Sequence, residues 1–301
     1  MKVKDGICGF VVGDALGVPV EFSTREELEE DPVIDMRGHG TYDMPKGTWS
    51  DDSSMILATM SSIIHQKAID YEDIMKEFMK WFNQGEYTQY YDTFDYGITT
   101  SAALHRFNMK IPALECGGKG DRDNGNGSLM RILPLAFIPD IDFETVENIS
   151  RMTHAHNRTL ITCAFYIEIA KSMLSNDLTI DEHIKNAGEI IKEQYKDSEE
   201  LKHLKRVFDD DFSAGIISSG YVIYTFESVI YCLKTTDNYR DAVLKAVNLG
   251  GDTDTIAGIC GGLAGIYYGY DSIPKEWIED IPKFNYVLKM CEEYEKVLEE
   301  F

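Results

Sequence analysis

The feature that most restricts the fold of this chain is the distribution of proline. No proline lies between Pro139 and Pro274, and the other six lie before Pro139 or, for Pro282, after Pro274. Because an internal proline breaks the hydrogen-bond ladder of a helix, so long an interval without one favours packed helices. Apolar residues also recur at spacings of three and four, which is the pattern of a buried helix face. Three such stripes are Ile74, Phe78, Trp81 and Phe82; Leu160, Cys163, Ala164 and Ile167; and Val287, Met290, Cys291 and Tyr294.

These patterns predict one mostly helical domain that covers residues 1–301. The sequence TIDE, from Thr179 to Glu182, is typical of a capping box that opens a helix. Signals for β-strands are weak, because no stretch sustains an alternation of apolar and polar residues. No repeat, low-complexity segment or Gly/Ser linker divides the chain.

The charge balance excludes several classes of partner. The chain has 52 acidic and 29 basic residues, which gives a formal net charge of -23. Nucleic acids and anionic membranes require clustered lysine and arginine, so we expect neither as a general partner. No positively charged leader followed by an apolar stretch opens the sequence, and the uncharged run at 255–270 is too short to cross a bilayer, so we expect a cytoplasmic location. The six cysteines form no C-x-x-C pair, so disulfides and zinc are not expected.

Two loops place acidic residues directly before apolar helices: GTWSDDSSM at 47–55 and GGDTDTIAG at 250–258. Their polar side chains include Ser50, Asp51, Asp52, Asp252, Asp254 and Thr255. Each loop alone is explained by helix capping, which the helix dipole favours. Together the loops offer four carboxylates and two hydroxyls, which are hard oxygen donors that suit Mg²⁺ or Mn²⁺ better than zinc. If the two helix starts meet, the set is large enough for two divalent cations.

Other polar or glycine-rich stretches are weaker signals. The loop GGKGDRDNGNGSLMR at 117–131 could wrap a phosphate with its backbone amides, although it lacks a P-loop signature. Asp14 and Glu21 are acids in the apolar stretch GFVVGDALGVPVEF, where a charge needs a partner or a function. The histidines of MTHAHNRT, at 152–159, are more often core or capping residues than ligands. Close packing of a helix is the preferred explanation for Gly258, Gly261, Gly262 and Gly265.

In this order, the stretches closely resemble the ADP-ribosylglycohydrolase family, which includes the dinitrogenase reductase-activating glycohydrolase. The resemblance runs from about Gly9 to Gly269 and rests on GDALGVPVEF, GTWSDDSSM, FDYGITTSAAL, GNGSLMRILPLA, THAHNRTLITCAFY, SSGYVIYTFESVIYCL and LGGDTDTIAGICGGLAGIYYG. Its most specific part is the serine with paired aspartates, followed far along the chain by Asp-x-Asp-Thr. The resemblance implies an all-α, compact, single-domain orthogonal helical bundle with two divalent cations, Mg²⁺ or Mn²⁺, in a cleft that holds ADP-ribose.

The resemblance also implies roles for individual residues. Glu21 matches a glutamate beside the scissile bond, and Asp252 is the second candidate for handling the proton. The implied metal ligands are Ser50, Asp51, Asp52, Asp252, Asp254 and Thr255. The implied contacts to the substrate are Asp95, Asn126, Gly127, Ser128, Met130 and His154. Ser50 and Ser53 stand where threonine is usual, which keeps the hydroxyl but loses the methyl group that restricts its rotamer.

The implied reaction is hydrolysis at C1 of the distal ribose, which releases ADP-ribose from an ADP-ribosylated protein or small molecule. The acidic composition suits a guanidinium leaving group, as in ADP-ribosyl-arginine, but leaves serine and other acceptors open. Two other functions also remain open. One is a non-catalytic ADP-ribose-binding or crystallin-like relative, although such a relative would usually lack one of the four aspartates. The other is a metal-dependent phosphohydrolase on a different helical scaffold.

Overall fold

A computed structural model describes residues 2–301 as an all-α bundle, which confirms the predicted fold class. No β-strand occurs within these residues, where pairing between extended segments is limited to isolated bridges. The fourteen α-helices are α1 (Val3–Gly17), α2 (Arg25–Glu30), α3 (Asp51–Gln66), α4 (Tyr71–Gln84), α5 (Ile98–Asn108), α6 (Phe143–Arg151), α7 (Asn157–Ser175), α8 (Ile180–Gln194), α9 (Lys205–Phe208), α10 (Val222–Lys234), α11 (Tyr239–Val247), α12 (Thr253–Tyr268), α13 (Lys275–Glu279) and α14 (Phe284–Leu298). Seven short 3-10 helices connect them, at Val18–Val20, Gly40–Tyr42, Ala113–Glu115, Leu129–Arg131, Leu133–Phe137, Glu199–Leu204 and Tyr270–Ser272.

The apolar stripes lie on helices and face the core. The stripe of α4 is buried except at Phe82, which is half-buried. The stripes of α7 and α14 are buried throughout. The predicted capping box is confirmed at the start of α8, where the Thr179 hydroxyl accepts the backbone N–H of Glu182 and the Glu182 carboxylate accepts that of Thr179. Periodicity and caps were therefore reliable guides to the helices.

The centre of the bundle is a contact between the backbones of α1 and α12. A Cβ atom added at Gly13 would lie 2.1 Å from the carbonyl oxygen of Ala257, and one added at Gly9 would lie 2.3 Å from that of Gly261. These positions therefore admit only a hydrogen atom. The packing role predicted for the glycines of α12 is confirmed at Gly261, where an added Cβ would lie 2.3 Å from the carbonyl oxygen of Gly9. The same close approach continues to the end of α1, where a Cβ at Gly17 would lie 2.3 Å from the Cα of Asp254.

One contiguous cluster of buried apolar residues extends from Val3 to Leu298. It supports our proposal that residues 1–301 form a single domain. All six cysteines are free and buried. No helix within residues 2–301 combines the length and the apolar character that a transmembrane span requires.

The α1–α12 contact can be tested with Gly13→Ala. The added methyl group would meet backbone atoms, which cannot rotate away. We therefore expect the free energy of unfolding to fall by about 1–3 kcal/mol or more. Thermal or urea unfolding would measure the change. Gly188→Ala is the matched control, because Gly188 also lies within a helix, α8, and an added Cβ there would come no closer than 3.4 Å to a side-chain atom, Cζ of Phe165. Equal stability of Gly13→Ala and the wild type would contradict the packing described here.

Candidate active site

The two acidic helix starts meet at one cleft. Helix α3 begins after Ser50, whose hydroxyl accepts the backbone N–H of Asp52 at 3.2 Å. Helix α12 begins after Asp252. Asp51, Asp52, Asp252 and Thr255 all line the same cleft, which has a volume of about 280 Å³. The tertiary structure thus brings together two loops that are about 200 residues apart in the sequence.

A buried carboxylate, Asp14 of α1, positions the start of α3. Its Oδ1 accepts the backbone N–H of Ser50 at 3.0 Å, and its Oδ2 accepts the backbone N–H of Ser53 at 3.1 Å and the Ser53 hydroxyl at 2.5 Å. The first amides of a helix have no acceptor within the helix, so Asp14 satisfies two of them. Burial raises the pKa of Asp14 to about 6, although the hydrogen bonds from Ser53 and Ser50 oppose this rise. Asp14 therefore fixes α3 to the α1–α12 pair.

The four aspartates of the two loops are held in a setting that disfavours negative charge. Burial is the largest cause that raises the pKa of Asp51, Asp52 and Asp254, and repulsion from neighbouring carboxylates raises it further. Burial also raises the pKa of Asp252, against hydrogen bonds from Asn126 and Thr255 that lower it. The Oδ2 atoms of Asp52 and Asp254 are buried without a hydrogen-bond partner. Such atoms are costly unless something else binds them.

Glu21 lies on the same cleft, directly after the 3-10 helix Val18–Val20. Its Oε2 accepts the hydroxyl of Tyr42 at 2.6 Å. Carboxylate oxygens of Glu21, Asp95 and Asp254 lie within 4.8 Å of one another, which makes this trio a candidate metal site. Burial, and then repulsion from Asp95, raises the pKa of Glu21 to about 10, while the hydrogen bond from Tyr42 lowers it. The Glu21 carboxyl therefore holds a proton at neutral pH when no cation is nearby.

The glycine-rich loop at 117–131 forms another wall of the cleft. It is held by backbone hydrogen bonds from Gly118 N–H to Thr153 at 2.9 Å and from Asn126 N–H to Gly220 at 3.0 Å. The side-chain amide of Asn126 donates to Oδ2 of Asp252 at 2.7 Å and to the Thr225 hydroxyl at 2.9 Å. Asn126 therefore orients one of the candidate metal ligands as well as lining the cleft.

Gly127, Met130 and His154 also line the cleft. Burial, and then the charge of Arg131, lowers the pKa of His154 to about 3, so the imidazole is neutral at physiological pH. Its Nδ1 lies 2.8 Å from the Thr153 hydroxyl. A Cβ added at Gly127 would lie 2.8 Å from Cε1 of His154, so the loop passes directly against this ring.

A comparison with known families identifies the scaffold. The model of the family described as ADP-ribosylglycohydrolase matches residues 1–301. The chain belongs to the ADP-ribosylglycohydrolase family. Together with the relatives described next, this membership indicates an ADP-ribosyl glycohydrolase.

Several members of the ADP-ribosylglycohydrolase family are similar to the chain over most of their length. ADP-ribosylarginine hydrolase Tri1 of Serratia proteamaculans (strain 568) is 30% identical, over 97% of this chain and 78% of that protein. ADP-ribosyl-[dinitrogen reductase] glycohydrolase of Rhodospirillum rubrum is 30% identical, over 91% of this chain and 87% of that protein. ADP-ribosylhydrolase ARH3 of Mus musculus is 26% identical, over 99% of this chain and 92% of that protein. A solved structure titled ADP-ribosylglycohydrolase-related protein complex is 25% identical, with a TM-score of 0.78 and coverage of 99% of this chain and 98% of that chain.

The cleft of this ADP-ribosylglycohydrolase has residues that fit divalent cations. The donors from the two loops are all oxygen atoms, as Mg²⁺ and Mn²⁺ prefer. Two of these oxygens, in Asp52 and Asp254, are buried and lack a partner, and the pKa values of their carboxyl groups are raised by repulsion from other acids as well as by burial. Bound cations would give these oxygens a partner and would also offset the repulsion among the carboxyl groups.

Ser128 differs from the other residues expected to bind substrate. Its side chain is fully buried and does not line the cleft. Its Oγ lies 2.7 Å from the Ser150 hydroxyl and 3.5 Å from Sγ of Cys163. The hydroxyl therefore connects the loop to the core, and a contact of Ser128 with substrate through the loop stays a prediction. The loop turns inward here because the 3-10 helix Leu129–Arg131 follows at once.

Several cleft residues were not identified from the sequence. They are Phe22, Gly97, Ile98, Thr99, Thr100, Arg122, Gly125 and Gly220. Arg122 is the single cation among the lining residues, and its place within the glycine-rich loop was the one available signal. The start of α5 lies within the stretch FDYGITTSAAL, but the spacing of residues in this stretch does not indicate that they face a ligand.

The repulsion among the aspartates can be tested in protein from which a chelator has removed all metal. We expect Asp254→Asn to unfold at a higher temperature than the wild type, with a difference that grows from pH 5 to pH 8. The raised pKa of Asp254 means that the folded protein holds a proton that the unfolded protein has released. The free energy of unfolding of the wild type therefore falls by up to about 1.4 kcal/mol per pH unit in this range. Adding Mg²⁺ or Mn²⁺ should raise the melting temperature of the wild type by mass action and that of the variant much less.

The exposed Asp271 offers a matched control, since Asp271→Asn should leave the melting temperature unchanged at both pH values. Calorimetry of the three proteins, each with and without metal, measures all these effects. A wild type that is insensitive to both cations would contradict a metal site at Asp254.

Proposed function

We propose that the protein uses Mg²⁺ or Mn²⁺ to hydrolyse the bond between C1 of the distal ribose of ADP-ribose and an arginine side chain. The single observation that carries this proposal is that Asp51, Asp52 and Asp252, from two distant helix starts, line one cleft with Glu21. A carboxylate oxygen of the buried Asp254 lies within 4.8 Å of one of Glu21. Two relatives at 30% identity support this proposal by their names. ADP-ribosylarginine hydrolase supports the arginine acceptor, and ADP-ribosyl-[dinitrogen reductase] glycohydrolase supports the glycohydrolase reaction.

The proposed ligands of two divalent cations are Ser50, Asp51, Asp52, Asp252, Asp254 and Thr255. The chemistry that the cations supply when bound is positive charge that polarises water and orients the hydroxyls of the distal ribose. Asn126 contributes by holding Asp252 at 2.7 Å, and Asp14 contributes by fixing the turn that carries Asp51 and Asp52. These contacts position the carboxylates before any ligand arrives, as efficient catalysis requires.

The remainder of ADP-ribose is proposed to lie along the glycine-rich loop. Gly127 and its neighbours expose a backbone without side chains, which permits close approach of a diphosphate. Arg122 lines this cleft and has a positive charge for the phosphates. Met130 and the neutral His154 offer uncharged surfaces to the nucleoside or ribose.

Proton transfer is assigned to Glu21, with Asp252 as the alternative. In the proposed reaction the oxygen of water bonds to C1 as the C1–N bond breaks, the bonding electrons pass to the guanidinium nitrogen, and a proton from the water ends on arginine. Glu21 is suited to carry this proton, because Oε2 is held by Tyr42 while the carboxyl group lies on the cleft. Asp252 is less free to do so, because it is also a proposed ligand of the divalent cations.

The proposed function is tested by incubating the protein with Mg²⁺ or Mn²⁺ and substrates ADP-ribosylated on arginine, on serine or on nucleic acid. Mass spectrometry should detect free ADP-ribose and an unmodified arginine peptide. Release from serine alone would replace the acceptor, and release of phosphate would indicate a phosphohydrolase. Binding of ADP-ribose without release from any substrate would indicate a non-catalytic relative.

Glu21→Gln separates proton transfer from binding. The amide keeps the size of the side chain but cannot carry the proton, so we expect turnover to fall by about 10²- to 10⁴-fold. Affinity for ADP-ribose, measured by calorimetry, should be retained. Glu77→Gln is the matched control, because Glu77 is also a buried glutamate that accepts a tyrosine hydroxyl, from Tyr87, but it lies outside the cleft.

Near-normal turnover by Glu21→Gln would remove Glu21 from the mechanism. Loss of ADP-ribose affinity would instead assign Glu21 to ligand or metal binding. In Asp254→Ala, by comparison, metal affinity and turnover should fall together, because Asp254 is proposed to bind the metal.

A further inference from the structure

Phe22 is an aromatic side chain exposed at the cleft. It directly follows Glu21, lines the same cleft and keeps 68% of its surface accessible. No aromatic ring or cation within residues 2–301 stacks on it. The ring therefore contributes little to the core, although it lies beside the residue that we assign to proton transfer.

The backbone at Phe22 has a conformation that bulky residues rarely adopt. Its φ is +64°, in the left-handed region that favours glycine or asparagine. Two hydrogen bonds hold it there: Phe22 N–H donates to the carbonyl of Gly251 at 2.7 Å, and Gly251 N–H donates to that of Ser23 at 2.8 Å. Because Gly251 directly precedes Asp252, these bonds tie the backbone of Phe22 to the same loop that carries candidate metal ligands. Strain of this kind tends to occur at functional sites.

The neighbours of Phe22 define the chemistry of a group that could lie on its ring. Glu21 and the half-buried Asp95 provide carboxylates with oxygens within 4.8 Å of each other. Asp95 also has a positive φ, of +54°. A flat cation suits both the exposed ring and the carboxylates, because a guanidinium group stacks on an aromatic face and pairs with carboxylates. A serine hydroxyl would gain neither interaction.

We propose that the ring of Phe22 stacks on the guanidinium group of the arginine that leaves, so that Phe22 selects arginine-linked over serine-linked ADP-ribose. This inference rests on the arginine acceptor proposed above and adds a residue that recognises it. Phe22 touches the acceptor and not ADP-ribose itself, so its removal should affect the two ligands differently.

Phe22→Asn is the informative variant, because asparagine tolerates a positive φ and the position is exposed, so the fold should be retained. We expect kcat/KM for an ADP-ribosyl-arginine peptide to fall by about 3- to 30-fold, the range for loss of a cation–π contact. The affinity for free ADP-ribose, measured by calorimetry, should change less than twofold. Phe22→Tyr keeps the aromatic face and should retain the wild-type kcat/KM.

Tyr91→Asn is the matched control: Tyr91 is also an aromatic residue, 69% exposed with a φ of +58°, but it does not line the cleft. Its variant should keep wild-type kcat/KM. The inference is overturned if Phe22→Asn stays within twofold of the wild type on the arginine substrate, or if ADP-ribose affinity falls by the same factor as kcat/KM. A wild type inactive on arginine-linked substrate would overturn the proposed function and this inference together, whereas an active wild type with an unaffected Phe22→Asn variant would overturn the inference alone.

Discussion

The contact between α1 and α12 is the constraint on which the rest of the structure depends. Both helices lack side chains where their backbones meet, as at Gly13 and Gly261. The contact ends at Gly17, whose carbonyl accepts the Thr253 hydroxyl at 2.8 Å and which lies against the backbone of Asp254. Since Glu21 follows only four residues later, the distance between these helices sets the distance between the residue assigned to proton transfer and a candidate metal ligand. A change in packing would therefore alter the chemistry of the site.

Asp14 joins the α1–α12 pair to α3, and this arrangement brings several acidic side chains close together. A fully buried carboxylate is itself unfavourable, but Asp14 accepts hydrogen bonds from the free amides at a helix start, where the helix dipole favours an anion. The next two residues after Ser50 are again aspartates, and their pKa values are raised by burial and by repulsion. The apolar packing of α1, α3 and α12 must offset this repulsion, since the site itself disfavours folding without cations. Stability is lowered locally where function requires charge.

The cleft combines surfaces of different character around this charge. The glycine-rich loop presents backbone, an arginine and the neutral His154. Glu21 and Asp95 present carboxyl groups, and Phe22 and Ile98 present exposed apolar surface. The substrate that we propose, with phosphates, ribose hydroxyls and a cationic acceptor, would find a partner for each of these features, whereas a simple phosphate ester would leave the apolar surface and the acidic pair without one.

The sequence by itself determined the helices and indicated the acidic character of the cleft. Proline distribution and apolar periodicity act locally along the chain, so they predicted the all-α class, the stripes of α4, α7 and α14, and the cap of α8. The two loops, with oxygen donors alone, likewise indicated hard cations. Only the tertiary structure decided which way each side chain faces: Ser128 into the core, Arg122 and Phe22 onto the cleft, and Asp14 onto the start of α3. These outcomes depend on contacts between segments far apart in the chain, such as Phe22 with Gly251, and no local pattern encodes them.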